Sequence, residues 1–376
     1  MTKQPRPNNS FTYSKWQKAG GPPEIQWQDR LTSALYSGLT SQAGIIVIAL
    51  IALLVLVVLA CVLSKTPGRT LFFFFIGPFR NVYSFGNMLN SAIPLIFGGL
   101  GVSIAMQAGS LNLGGEGQIY SGAFIATITA LPLAVLGFSG GLISILAGAF
   151  FAGALAALSG FFKARWNTNE LITSFLLSNA TILIVNYLVT GPFHDPETNL
   201  QSTKKIAANL RLPLLLPPSN LNIGLVIALV TAAIVYIFLK RTRLGYEFRI
   251  SGANEIFARY GGINTKLNTV LAMFLSGALY GLAGGLCVFG SYYGTVKEFS
   301  AGLGWNGLAA ALVAGFNPVA VIPASLFFAW ISSGARIAMQ NSDVTFEIAS
   351  IVQSVIFFLA TSMVLRNLFG KKERQL

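Results

Sequence analysis

The chain has 376 residues, 54% of them hydrophobic and only 10% charged, where soluble globular domains carry about 25% charge. Its net charge of +13 would suggest nucleic acid in a soluble protein. The sequence holds no nucleic-acid-binding module, however, and basic residues of polytopic membrane proteins collect on the cytoplasmic side as topology signals.

Residues 1–42 are polar, carry Gly20, Gly21, Pro22 and Pro23, and read as a cytoplasmic N-terminal tail. Val58–Cys61 spells VLAC, like a lipoprotein cleavage box, but about forty polar residues precede its apolar run, far more than a signal peptide's n-region. The run is therefore an uncleaved first span. Apolar runs and their breakers place spans at roughly 43–63, 88–108, 117–135, 141–162, 170–190, 221–240, 268–289, 304–316, 318–338 and 347–366. The runs are continuous rather than alternating, which excludes a β-barrel. The expected fold is all-α: a polytopic membrane protein of about ten transmembrane helices. Its membrane domain covers 43–366, divided into halves 43–190 and 221–366 by an outer loop, 191–220, and followed by a C-terminal tail, 367–376. With both termini cytoplasmic, the inner segments hold 17 of the 25 Lys and Arg residues, which is the orientation the charge bias favours. In this count Lys65, Arg69, Arg80 and Arg336 fall on outer segments.

The two halves echo each other. Leu113–Gly117 reads LGGEG and Leu303–Gly307 reads LGWNG, each at the start of a span after a glycine-rich break. Pro132 pairs with Pro318, and Asn169–Ile172 with Phe346–Ala349. Five spans per unit is odd, so the second unit must be inverted. A 5+5 inverted repeat with broken helices near the midplane points to a translocation path. Chance similarity between two Gly/Ala-rich stretches is the competing explanation.

Asn112, Gly114, Glu116 and Gln118 sit in the first break. A carboxylate near hydrocarbon is costly unless it faces water or a partner, so Glu116 either lines a pathway or caps the start of a helix. Trp305 and Asn306 occupy the matching positions of the second break. Glu170 and Glu347 read as helix-start acids. Two cysteines without a metal-type spacing partner and one histidine, His194, give no zinc or iron–sulfur site and no catalytic triad. There is no phosphate-binding G-x-x-x-x-G-K-[ST] loop, so any ATP that drives this chain is held elsewhere.

Between Lys240 and Lys266 the chain reads KRTRLGYEFRISGANEIFARYGGINTK, with six basic residues. Gly252 precedes a short helical stretch, Ala253–Tyr260, and Gly261-Gly262 stops it. Glu255 and Arg259 form an i,i+4 pair, while Ile256, Phe257 and Tyr260 make an apolar patch. So short a helix is unstable alone in water. Either a partner docks on it, or it lies on anionic lipid through its arginines.

These blocks resemble the permease subunits of ABC importers in the branched-chain amino acid, simple sugar and nucleoside permease superfamily, nearest to the nucleoside (basic-membrane-protein-associated) branch. The resemblance rests on Leu111–Gln118, Lys163–Ile172, Asn186–Pro192, and above all Arg241–Gly245 with Gly252–Glu255 and Ala258–Ile263. It implies that loop 240–267 carries the coupling helix, with Gly252, Asn254, Glu255, Phe257, Ala258, Arg259, Tyr260, Gly261 and Ile263 at an ABC ATPase. It implies a path past Asn112, Gly114, Glu116, Gln118, Trp305 and Asn306. The chain would be non-catalytic and bind no cofactor, with ATP and Mg on an ATPase dimer. Its other partners would be a second permease subunit, an extracytoplasmic solute-binding lipoprotein and membrane lipid, with no nucleic acid. Its place would be the bacterial cytoplasmic (inner) membrane. The solutes implied are nucleosides, with riboflavin or simple sugars as alternatives. A long first outer loop, 64–87, looks like the larger of two permeases and favours a heterodimer over a homodimer. The family usually has Pro at Asn254-Glu255 and often Ala at Gly261, departures that suggest a different ATPase partner. An ion-coupled secondary transporter is the competing class, and it would not need a folded cytoplasmic knob.

Overall fold

The computed structural model describes residues 64–345 continuously, together with isolated helical residues at 50, 54–55, 57–58, 61–62, 347, 350–351, 353–355 and 358. Both tails and most of the expected spans 43–63 and 347–366 lie outside the described residues.

The described elements are helical. They are α1 (Pro67–Phe75), α2 (Val82–Gln107), α3 (Gly115–Ala130), α4 (Phe138–Trp166), α5 (Glu170–Thr190), α6 (Gly224–Arg241), α7 (Arg243–Ala253), α8 (Glu255–Tyr260), α9 (Thr265–Cys287), α10 (Leu303–Val313) and α11 (Pro318–Asn341). Asparagine or threonine side chains cap many of the starts: Asn81, Asn169, Thr242, Asn254, Asn264 and Asn317 each accept a backbone N–H from the first turn of the helix that follows. Helix α4 ends on Asn167 in the left-handed conformation, with Lys163 and Arg165 in its last turn where the helix dipole favours cations.

Among the described residues, six helices are long and apolar enough to cross a membrane: α2, α4, α5, α6, α9 with its continuation to Tyr292, and α11. Helices α3 and α10 are not. Their 16 and 11 residues give about 24 and 17 Å, against a hydrocarbon core of about 30 Å. The burial pattern is that of a membrane protein. Central α2 and α9 are mostly buried, whereas α5 and α6 leave Leu183, Ile184, Ile234 and Ile237 exposed. With lipid outside, small residues rather than hydrophobicity set how closely helices approach.

The packing is reciprocal. Helix α9 receives α3 and α4, while α2 receives α10 and α11. Each half therefore lays its short helix and the following span against the long central helix of the other half, and α2 packs on α9 between them.

Three expectations need correction. The first outer loop, 64–87, is not simply a loop. It holds α1 and the first turns of α2, because the PGRTLFFFF run is too short to span yet apolar enough to fold against α11. Phe74 is buried there, and Trp330 Nε1 donates to the Phe75 carbonyl at 3.3 Å. Asp343 ties this region to the end of α11, accepting from Ser64 Oγ and the Lys65 amide, each at 2.6 Å. These bonds hold its carboxyl down at about 2. Arg336 does not sit on an outer loop but within α11, which runs on to Asn341. Loop 240–267 contains two helices rather than one, and the second starts at Glu255, with Asn254 as its cap.

Candidate functional site

The first break is built by α2 ending early. Gly109 takes a φ of 73°, the Ser110 amide donates to the Ala105 carbonyl and the Gly109 amide to that of Met106, both at 3.0 Å. This pairing closes the helix end. Lys163 Nζ braces the turn from α4, donating to the Gly109 carbonyl at 3.0 Å, Ser110 Oγ at 3.1 Å and Glu170 Oε1 at 2.7 Å. Asn112 then folds the segment on itself. Its Nδ2 donates to Gln118 Oε1 (2.7 Å) and Ser276 Oγ (3.1 Å), while its Oδ1 accepts from Gln118 Nε2 (3.0 Å) and the Gly114 amide (2.9 Å). Both amides are fully buried. Ser178 Oγ accepts from the Gly117 amide at 2.8 Å, so α5 also serves the start of α3. Asn112→Ala would leave the Gln118 amide buried and unpaired, at a cost of about 1–3 kcal/mol. A lowered thermal unfolding midpoint in detergent is expected, and an unchanged midpoint would mean the pair is not structural.

Glu116 lies in the first turn of α3 and reaches the first turn of α10, where its Oε2 accepts from the Gly304 amide at 2.9 Å. The two short helices thus meet by their N-termini, and the carboxylate sits between two positive dipole ends. The approach is of backbone on backbone. A Cβ at Gly304 would lie 2.8 Å from the Gly115 carbonyl carbon. A void of about 10 Å³, close to the size of one water, lies among Glu116, Tyr280 and Trp305.

Above this meeting point opens a cavity of about 460 Å³. Its walls come from the N-terminal half of α2, the C-terminal end of α9, the start of α10 and the second half of α11, and include Asn90, Ser91, Tyr292, Asn306, Ser332 and Arg336. Leu303 and Asn306 of α10 face it, while Gly304 and Trp305 border the small void. The start of α10 is therefore the wall between them.

At the opposite end of α2 stand α7 and α8. Thr242 Oγ1 accepts from the Gly245 amide at 3.1 Å to start α7, and Asn268 Nδ2 donates to Ser251 Oγ at 3.3 Å to hold α7 against α9. Asn254 Oδ1 accepts from the Phe257 amide at 2.9 Å to start α8. Gly262 stops it, with φ 77° and the Ile263 amide donating to the Ala258 carbonyl at 3.0 Å. Arg259 bonds Glu255 and also donates through Nε to Thr265 Oγ1 at 3.1 Å, so it anchors α8 to the first turn of α9. Ala258 is buried beneath, while Ile256, Phe257 and Tyr260 project outward, Tyr260 at 89% exposure. Gly252 lies against the end of α2. A Cβ there would press into the Gln107 carbonyl oxygen and come within 2.7 Å of the Gly109 amide nitrogen. The knob and the first break are thus in backbone contact.

The predicted residues separate accordingly. Gly252, Asn254, Glu255, Phe257, Ala258, Arg259, Tyr260, Gly261 and Ile263 form one compact knob. Glu116, Trp305 and the backbone of Gly304 come together where α3 and α10 meet, and Asn306 opens onto the large cavity. Asn112 borders the small void beside Glu116 and Trp305, while Asn112, Gly114 and Gln118 bond to one another and are not among the residues lining the large cavity. Sequence reasoning missed Arg336, Ser91 and Asn90 as cavity residues. An arginine eighteen residues into an apolar run was the available signal for the first of these.

A family model for branched-chain amino acid transport system permease components matches residues 84–361. The probable riboflavin import permease protein RfuC of Treponema pallidum is 32% identical, over 83% of this chain and 82% of its own. The guanosine ABC transporter permease protein NupP of Bacillus subtilis is 29% identical, over 80% and 87%. The glucose ABC transporter permease protein of Haloferax volcanii is 31% identical, over 77% and 79%. No solved structure matches.

Proposed function

The chain belongs to the family of branched-chain amino acid transport system permease components, non-catalytic membrane subunits of ABC transporters, and from that premise we propose that it moves a nucleoside-like solute inward by alternating access driven by a separate ATPase. The observation that carries this is the backbone contact between Gly252 and the end of α2. It links an exposed apolar knob at one end of the molecule to the junction of two broken helices beneath a solute-sized cavity. An element that docks an ATPase needs such a link, and an interfacial lipid-binding helix does not. In this reading Ile256, Phe257 and Tyr260 seat in the ATPase, while Glu255 and Arg259 keep α8 rigid on α9. The path runs from the cavity past Asn306, Trp305 and Glu116. Asn112, Gly114 and Gln118 hold the break in shape.

The complex would comprise two ATPases, this chain, a second permease subunit and an extracytoplasmic solute-binding lipoprotein, in the bacterial inner membrane with both termini cytoplasmic. Guanosine and riboflavin, named for two relatives, make a nucleoside the first solute to test and a flavin the second, with a sugar third.

The test is uptake into proteoliposomes holding the whole complex. Phe257→Ala combined with Tyr260→Ala is expected to lower ATP-driven uptake at least about tenfold, as removal of aromatic interface anchors does, and to reduce co-purification of the ATPase. Uptake that persists without the ATPase would overturn the proposal. Uptake that collapses with an uncoupler at constant ATP would favour an ion-coupled transporter instead.

A further inference from the structure

Among the described residues, Arg336 is the one charged side chain on the wall of the large cavity. Its Nη2 donates to Ser91 Oγ at 2.9 Å, and it takes part in none of the ion pairs among the described residues. An ionisable residue inside a membrane helix is costly unless it faces water or a partner, and its default reading is functional. The rest of the described lining is apolar or neutral, its polar groups being tyrosines, serines, asparagines and a glutamine, with no carboxylate among the described residues. Such a site repels cations and offers a solute one strong donor group. It also offers the Asn306 side-chain amide, which makes no hydrogen bond among the described residues.

The guanidinium is a rigid fork, and two of its N–H groups lie parallel. It matches two acceptor atoms side by side. An oxo-purine presents such a pair, its carbonyl oxygen beside ring N7, and the ring system of a flavin does so with a carbonyl oxygen beside a ring nitrogen. An amino-purine puts a donor where the fork needs an acceptor, and a hexose offers only vicinal hydroxyls, which rotate and also donate, in place of a fixed pair of acceptors. The volume, about 460 Å³, lies within the 300–1,000 Å³ of small-molecule sites. We infer that this cavity is a resting site for the incoming solute, and that Arg336, oriented by Ser91, selects neutral rings carrying a carbonyl oxygen next to a ring-nitrogen acceptor. The inference deepens the importer reading and takes its candidate solutes from it.

The test is protection of a cysteine placed on the cavity wall. In the purified full-length complex in lipid nanodiscs, Gln340→Cys is introduced with Cys61→Ser and Cys287→Ala, and its labelling by uncharged N-ethylmaleimide is timed. Inosine and riboflavin are expected to slow labelling. Adenosine should need about tenfold more for half-protection, the order expected for one mismatched bidentate contact, and glucose should not protect. Arg336→Gln should abolish the inosine-over-adenosine preference. Arg336→Lys, which keeps the charge and loses the fork, should abolish it too while eluting as the unsubstituted protein does on size exclusion. Absence of protection by any of these solutes, equal protection by inosine and adenosine, or an unchanged preference in Arg336→Lys would overturn the inference. Protection without ATP-driven uptake would sink the importer reading and leave this one standing. Uptake without protection would do the reverse.

Discussion

Gly252→Ala is expected to cut ATP-driven uptake by about tenfold, and Gly252→Leu further, while leaving the ATPase bound. The site has no room for a Cβ, because the nearest atoms are the Gln107 carbonyl oxygen and the Gly109 amide nitrogen. Both are backbone and cannot rotate aside. Insertion of even one methyl into so close a contact costs about 1–3 kcal/mol, and about 1.4 kcal/mol is a factor of ten in an equilibrium. The strain falls on the turn after α2, which Lys163 braces and Asn112 shapes. Phe257 and Tyr260, the proposed docking residues, are exposed and untouched by this change. Co-purification of the ATPase should therefore stay near that of the unsubstituted chain while solute-stimulated ATP hydrolysis is lost. Uptake within twofold of the unsubstituted complex would show that motion does not pass through this contact.

The second large effect is expected at Glu116. Glu116→Ala removes the acceptor of the Gly304 amide, bonded at 2.9 Å, and leaving such a donor unsatisfied costs about 1–3 kcal/mol. The state in which α3 and α10 touch would fall in population by roughly ten- to a hundredfold, and uptake should fall with it. Glu116→Gln keeps a carbonyl acceptor in the same place, so it should stay within about threefold of wild type. Initial rates in proteoliposomes separate the two variants. If glutamine is as damaging as alanine, the charge itself is needed by the solute, and Glu116 is a path group rather than a clasp between helices.

The long spans were legible because hydropathy alone marks them. The expected 170–190 coincides with α5, and 318–338 differs from α11 only at its end. The starts of α3 and α10 are legible in their glycine-rich breaks, but the sequence reads them as spans 117–135 and 304–316, and their 16 and 11 residues are too few to cross. Helix α7 was not, since RLGYEFRISGA carries no apolar run and has a glycine at its third position. Its helicity comes from the Thr242 cap and from packing of Phe248 beneath α6. The knob's residues were visible as a charged, aromatic island between spans. Its true stop, Gly262 rather than Gly261, depends on a positive φ that spacing does not reveal. Asn112 and Gln118 were grouped with the path because polar residues at a break suggest a lining. That they satisfy each other is a matter of side-chain geometry six residues apart. Arg336 was counted as a topology charge, and only the full length of α11 puts it on a cavity wall.

The contact between Gly252 and the turn at Gly109 contains no side chain. What passes through it depends on the position of the main chain and is indifferent to the identity of neighbouring residues. The surface of α8 and the wall of the cavity are, by contrast, written in side chains. If α8 seats a motor and the cavity holds the cargo, as proposed, evolution can exchange either one without renegotiating the joint between them. Chains of this build should tolerate grafting: α8 from one relative and cavity residues from another, carried on an unaltered glycine contact.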